Sequence, residues 1–299
     1  VYTIPLETAD QTEARQIGPK AWHLAQLIQQ KIPVPRGFVI GAQALDLFLK
    51  ENHLKERIGE AEFPKLLQQS MIPEGIQREL FDSYKRLQEW AHPSPLSVAV
   101  RSSSAAEDLQ EASFAGQYET YLNVHGFPHV LERIKDCWAS LFSPRVRQYA
   151  MQKHVNLTSM PMGVLVQQMV CADVAGVIFS MNPVTRNTRE IIVNASFGLG
   201  EAVVSGLVTP DQFVIQKATG KVQKELGFKE IKMISSPTGT ETVQTSEAEQ
   251  QQFCLSDEQL RALAVETKRI ESLYSTPVDI EFAIQDGKLY ILQVRPVTT

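Results

Sequence analysis

The sequence predicts an α+β chain folded as two lobes with a ligand cleft between them. Three observations carry this. Stretches of helical period dominate the first half, separated by single short strands. From Gly163 onward the helical period gives way to runs of strand character. The chain ends in two alternating strands that gather four polar side chains on one face.

Residues 18–30 read as a helix, with Ala21, Leu24, Ala25 and Ile28 on one stripe. Pro33 and Pro35 break it and lead into a short strand at 38–40. Helical patterns run from Ala42 towards Gln69 and from Glu74 towards Ala91, and Pro93 and Pro95 end them. Residues 98–101 form a strand, 102–113 a loop, and 121–124 another strand. A helix follows with Val130, Ile134, Cys137, Trp138 and Leu141 on one face. Further strands are expected at 164–170, 175–181, 190–195 and 212–217, with a turn at 218–220. Residues 237–251 are polar and aperiodic, which predicts a mobile excursion. Ser256 and Gln259 have capping-box spacing for a helix reaching Leu273.

In the last strand pair Ile280, Phe282 and Ile284 point one way, and Asp279, Glu281 and Ala283 the other. A two-residue Asp286-Gly287 turn would set Gln293 opposite Ile280 and mix the faces. A three-residue loop with Gly287 in the left-handed region pairs the even-numbered residues, and this is the register expected. It collects Asp279, Glu281, Gln293 and Arg295 in one patch, a set suited to a divalent cation with phosphate. The plainer alternative is a surface ion pair between Glu281 and Arg295.

The length of 299 residues allows one large domain or two lobes, and the 43% apolar content is that of a globular chain. A net charge of −5 without a basic block argues against nucleic-acid binding. No apolar run is long enough to span a membrane, and the start carries no signal-peptide pattern. A first residue of Val suggests a processed or trimmed chain. Three scattered cysteines predict reduced thiols in the cytoplasm, and six scattered histidines lack metal-ligand spacing.

Lys20 stands at a helix start, where free N–H groups and a lysine charge could meet a phosphate. Arg101 leaves an apolar strand into Ser102-Ser103-Ser104, whose hydroxyls and N–H groups suit a polyphosphate; pairing with Glu107 or Asp108 is the alternative. The loop Ser113-Phe114-Ala115-Gly116-Gln117-Tyr118-Glu119-Thr120 offers close backbone approach at Gly116 and a hydroxyl at Thr120. Phe197-Gly198-Leu199-Gly200-Glu201 superficially matches a dinucleotide fingerprint, but the third glycine and a following parallel βαβ unit are missing. No GxxxxGK[ST] loop is present, which argues against a P-loop kinase.

Taken together, these segments resemble the ATP-binding domain of the dikinase family, which includes phosphoenolpyruvate synthase, pyruvate phosphate dikinase and rifampicin phosphotransferase. The resemblance runs in order through Gly18-Pro19-Lys20, Val98-Ala99-Val100-Arg101-Ser102-Ser103, the Gly116 loop, Gly176-Val177-Ile178-Phe179-Ser180-Met181-Asn182-Pro183, the Gly198–Gly200 segment, Asp279-Ile280-Glu281 and Leu292-Gln293-Val294-Arg295-Pro296. It implies one ATP-grasp-like domain over 1–299, with a helix-rich lobe at 1–165 bearing the phosphate loops and a strand-rich lobe at 166–299 bearing the metal hairpin. ATP and Mg²⁺ are the implied cofactors. Lys20 and Arg101 would contact phosphates, Gly116 and Thr120 would lie over them, and Gln167 would lie near adenine. Glu281 and Gln293 would bind Mg²⁺, and Arg295 would hold a phosphate oxygen. Pro19 departs from the family's Gly-Gly-Lys and removes one donor, which predicts altered but retained contacts. No catalytic histidine is expected in this chain: the carrier histidine belongs to a swivelling domain, and the acceptor-binding domain is a further partner. Neither nucleic acid nor membrane is an expected partner. The compact Lys20 to Arg101 segment and the 200–206 run favour a rifampicin phosphotransferase-like antibiotic kinase. A phosphoenolpyruvate synthase and a nucleotide sensor without chemistry are the alternatives.

Overall fold

A computed structural model describes residues 1–91, 95–104 and 120–297 of the protein. Helices and antiparallel sheets mix in two compact units: Val1–Gln26 with Arg36–Met169, and Leu27–Pro35 with Val170–Thr299.

The first unit is built on a five-stranded antiparallel sheet, order β1-β2-β5-β3-β4. Its strands are β1 (Thr3–Pro5), β2 (Gly37–Ile40), β3 (Ser97–Ser104), β4 (Thr120–His125) and β5 (Met162–Gln168). Helices α1 (Ala14–Ile17), α2 (Pro19–Gln29), α3 (Ala42–Glu51), α4 (Phe63–Gln69), α5 (Glu74–Trp90), α6 (Phe127–Ser140) and α7 (Pro144–Gln152) complete it, with the end of α2 assigned to the second unit. Alternation decides which sheet face is covered. Phe38, Ile40, Val98, Val100, Val164 and Val166 enter one core with Phe48 of α3, Ile76 and Leu80 of α5, and Ile134 and Trp138 of α6. In α5 the buried Ile76, Leu80, Tyr84 and Leu87 recur at three- to four-residue spacing, the stripe that turns a helix onto a sheet. The Phe48 and Trp138 rings meet at 5.0 Å between centroids.

The second unit holds a six-stranded antiparallel sheet, order β13-β12-β6-β7-β8-β9. Its strands are β6 (Val174–Phe179), β7 (Glu190–Phe197), β8 (Asp211–Gln216), β9 (Val222–Glu225), β12 (Val278–Gln285) and β13 (Lys288–Pro296). A two-stranded hairpin, β10 (Ile231–Ser236) and β11 (Gly239–Gln244), forms a separate sheet in this unit. The helices are α8 (Glu201–Val204), α9 (Glu247–Gln251) and α10 (Asp257–Tyr274). α10 packs on β12 and buries Leu260, Leu263 and Ile270, while Ile280, Ile178, Val193 and Phe213 are buried along one face of the sheet. The segment Leu27–Pro35 covers the outer edge of β13, where the Ile291 N–H donates to the Pro33 carbonyl at 2.7 Å.

Residues 237–251, expected as an aperiodic excursion, carry regular secondary structure. The strand β11, paired with β10, and the helix α9 occupy them, and Ser246 and Glu249 complete a capping box. The hairpin is half solvated on both sides, so it leaves no apolar alternation to read. The capping box expected at Ser256 and Gln259 is present.

Candidate functional site

In the first unit, side chains that oppose one another on neighbouring strands share a face. Arg101 opposes Thr120 on β4 and Leu165 on β5. Gln167 lies two residues beyond Leu165 and opposes Ala99. Arg101, Thr120 and Gln167 therefore occupy the face opposite the apolar core. The start of α2, with Lys20 next to Ala21, is fixed to β3 there: Ser103, two residues after Arg101, accepts a hydrogen bond from the Ala21 N–H at 3.2 Å. Gln167 is buried, Lys20 and Arg101 are half-buried, and Thr120 is exposed. Gly116 lies outside the described residues, as do Glu107 and Asp108. A cavity of about 420 Å³ in this unit, lined by Arg15, Asp46, Leu49, Phe142 and Met160 among others, contains none of the predicted site residues.

Two expectations here are corrected. Residues 102–104 are strand, not loop, and pair with Val164, Gly163 and Met162 of β5. Ser102, Ser103 and Ser104 are 1%, 0% and 0% exposed, so their hydroxyls are closed to solvent. The start of α2 also lacks the set of free N–H groups expected. Gly18 N–H donates to Ala14 O, Pro19 has none, Ala21 N–H goes to Ser103, and Trp22 N–H goes to Gly18 O. The positive charge at this end is concentrated in the Lys20 side chain.

The second unit carries the acidic patch. The hairpin turn is the two-residue Asp286-Gly287, with φ of 50° and 75°, and Gln285 opposes Lys288. The three-residue loop is thus replaced by another device: a bulge between Glu281 and Phe282 leaves Leu292 as an extra residue. Beyond it Glu281 opposes Gln293, Ile280 opposes Val294, and Asp279 opposes Arg295. Ile291 falls on the buried side, opposite Phe282, and does not share a face with Gln293 as the sequence reading had it.

Arg295 donates to Asp279 at 3.3 Å, so the ion pair falls on Asp279 and not on Glu281. Burial raises the Asp279 pKa from its ordinary value; Arg295 opposes this and the nearby Glu281 charge adds to it. Neither Glu281 nor Gln293 makes a side-chain hydrogen bond or ion pair with a described residue. On the same face, Val170, Ala175 and Ala283 form a small apolar cluster flanked by Tyr290 and Leu292. Sequence reading missed this cluster because Val170 and Ala175 reach it from distant segments.

The donor set fits a hard cation. Glu281 and Gln293 offer a carboxylate and an amide oxygen side by side, and Asp279 adds a second carboxylate next to them. Among the described residues no group of three His, Cys, Asp or Glu could hold a metal ion. A cation here would need oxygens from a phosphate or water, which is how Mg²⁺ commonly binds.

The dinucleotide resemblance of the 197–201 segment has a structural cause. Gly198 has φ of 81°, and a Cβ there would stand 2.4 Å from the Met233 carbonyl oxygen; Leu199 N–H donates to that same oxygen at 2.8 Å. The glycine seats β10. Every pairing in the sheet is antiparallel, so no parallel βαβ unit follows β7 among the described residues.

Residues 14–299 match the family model of the pyruvate phosphate dikinase AMP/ATP-binding domain. The chain belongs to this family. It is a dikinase-type ATP-binding domain with mixed helix and sheet. An uncharacterized phosphotransferase, YvkC, of Bacillus subtilis is 44% identical over all of this chain and 35% of its own length. A probable phosphoenolpyruvate synthase of Methanocaldococcus jannaschii is 36% identical over 94% of this chain and 25% of its own. The prodigiosin synthesizing transferase PigC of Serratia marcescens is 36% identical over 96% of this chain and 32% of its own. The dikinase domain described here thus spans about a quarter to a third of these relatives. No helix of the described residues is long and apolar enough to cross a membrane.

Proposed function

We propose that this domain binds and cleaves ATP within a dikinase-type phosphotransferase, producing AMP and phosphate while a histidine on another domain carries the phosphoryl group onward. The observation that carries the reading is the pairing of Glu281 with Gln293 on a half-buried sheet face, neither side chain hydrogen-bonded or ion-paired to a described residue. Lys20, Arg101 and Arg295 would bind and orient the polyphosphate, and their charge would offset the charge that develops on the transferring group. Glu281 and Gln293 would hold Mg²⁺, which when bound neutralises phosphate charge. Gly116 and Thr120 would cover the phosphates, Gln167 would bind adenine, and the apolar patch around Ala283 would take the flat face of the base. The carrier imidazole would attack the β-phosphorus and release AMP. Water would then cleave the pyrophosphoryl group, giving inorganic phosphate and leaving the β-phosphoryl on the histidine.

The acceptor we favour is a rifamycin-type antibiotic, on the compactness of the Lys20 to Arg101 segment and on the 200–206 run. A second reading, a phosphoenolpyruvate synthase acting on pyruvate, is favoured by the names of several relatives. A nucleotide sensor without chemistry is the third, favoured by Pro19. An ATP-grasp-like fold and a cytoplasmic location complete the proposal.

Calorimetric titration tests the binding step. Glu281→Ala is expected to lose the Mg²⁺-dependent part of ATP affinity while the protein stays folded. Arg101→Ala is expected to weaken ATP far more than adenosine. Undiminished Mg²⁺-dependent ATP binding by Glu281→Ala would sink the metal assignment. A separately supplied histidine domain that gains phosphate from ATP supports the enzyme; ATP binding without transfer supports the sensor.

A further inference from the structure

Ser103 sits at 0% exposure on β3, and its Oγ accepts the Ala21 N–H at 3.2 Å across 82 residues of sequence. Ala21 is the third residue of α2, the position whose N–H an N-cap side chain ordinarily receives. This helix has no such side chain of its own, because Gly18 precedes it, and Pro19 contributes no N–H. Ser103 therefore does the capping from another strand. The contact leaves no room for an alternative. A Cβ at Gly18 would stand 2.0 Å from the Ser103 carbonyl oxygen and 2.3 Å from its Oγ, and Gly18 has φ of 79°.

The position of this serine matters because of what shares its strand. Arg101 and Ser103 are two residues apart on β3 and so point to the same face, about 7 Å apart along it. Ser102, between them, points the other way. One side chain of this face holds the turn of helix that carries Lys20, and the next is Arg101 itself.

We propose that Ser103 is a positioning residue that sets Lys20 in register with Arg101, so that both cations bear on one polyphosphate. The inference rests on the ATP-binding reading above. Ser103 acts through the Ala21 N–H and touches no ligand. Its loss is therefore felt at the phosphate end of a nucleotide, and only while Lys20 is present.

The test is a double-mutant cycle of Ser103→Ala with Lys20→Met. ATP and adenosine affinities are measured by calorimetry, and exchange of the Ala21 amide is followed by NMR without nucleotide. Ser103→Ala is expected to speed Ala21 exchange and to weaken ATP roughly three- to thirty-fold, the range set by loss of one helix cap. Adenosine affinity is expected to stay unchanged. In the Lys20→Met background the same substitution is expected to cost ATP nothing further. Ser103→Cys, which keeps the volume but offers a poor acceptor, serves if the alanine variant does not fold. The inference is overturned by an unchanged Ala21 exchange rate, by equal losses for ATP and adenosine, or by a Ser103 effect that persists undiminished without Lys20. A wild-type chain with no ATP affinity and a Ser103-dependent Ala21 amide overturns the nucleotide reading, and with it the phosphate role, while leaving the capping contact standing.

Discussion

Lys229 and Asp211 form an ion pair of 2.7 Å in which both side chains are 0% exposed, and replacing the lysine measures what breaking a buried pair costs. Asp211 is fully engaged: Oδ1 accepts from Lys229 Nζ and from the Gly227 N–H at 2.8 Å, and Oδ2 accepts from the Cys254 N–H at 2.8 Å. Lys229 Nζ also donates to the carbonyls of Gly227 at 3.1 Å and Gln250 at 3.4 Å. Lys229→Met strands a buried carboxylate, a loss of about 3–5 kcal/mol by analogy with other broken buried pairs. The two backbone N–H groups still hold Asp211, which places the expected loss near the lower end, about 3 kcal/mol. For a unit of this size that is a fall in Tm of roughly 6–12 °C. Lys224→Met provides the control. Lys224 pairs with Asp257 at 2.6 Å, but that carboxylate side chain is 69% exposed, and such pairs contribute about 0–1 kcal/mol. Thermal denaturation followed by circular dichroism compares the two variants. Equal, small losses for both would show that burial of the Lys229 pair does not set its cost, and the reasoning would fail.

Asp279→Asn tests the raised carboxylate. A pKa that folding raises penalises the native state in full above the folded value; the penalty fades as pH falls through the folded pKa and is gone below the unfolded one. The asparagine variant is therefore expected to be at least as stable as wild type at neutral pH, with its advantage shrinking on acidification through the carboxylate range; a variant less stable at neutral pH by a pH-independent margin contradicts this. Gly198→Ala is expected to cost roughly 2 kcal/mol or more, because left-handed backbone alone costs about 1–2 kcal/mol and the Met233 carbonyl must also move. A loss of nucleotide binding at unchanged Tm would instead mean that Gly198 approaches a ligand.

Much of the fold was legible because alternation and helical period are enforced by burial. The helices at 19–29, 74–90 and 257–274 and the strands around Val98, Val164 and Val193 all carry a covered apolar face. The β10–β11 hairpin was not, because neither face is buried enough to impose a pattern. Ser103 was misread for a related reason. Ser-Ser-Ser reads locally as loop, and only the pairing with β5 and the distant α2 keeps it in a buried strand. The Lys229–Asp211 pair left no local signal at all, since nothing in either segment announces the other across 18 residues.

The hairpin shows how a correct grouping can arise from a different cause. Polar residues on one sheet face need no ligand to explain them, since antiparallel sheets commonly turn one face towards water. The bulge at Leu292 is harder to explain that way. With the two-residue turn and no extra residue, Gln293 would oppose Ile280 and Arg295 would oppose Val278, which puts both polar groups on the buried face. One unpaired residue corrects the register for the far half of the strand only, at the expense of a ladder hydrogen bond. It does so beside Glu281, where the carboxylate and the Gln293 amide are brought level and left unengaged. Keeping the apolar residues inside explains why some register shift is needed in this hairpin. A longer turn would have achieved that equally well, but it would have moved the pairing of Ala283 with Tyr290 too. Shifting the chain at Leu292 keeps the apolar cluster at Ala283 and the oxygen pair at Glu281 on one face, each in its own register.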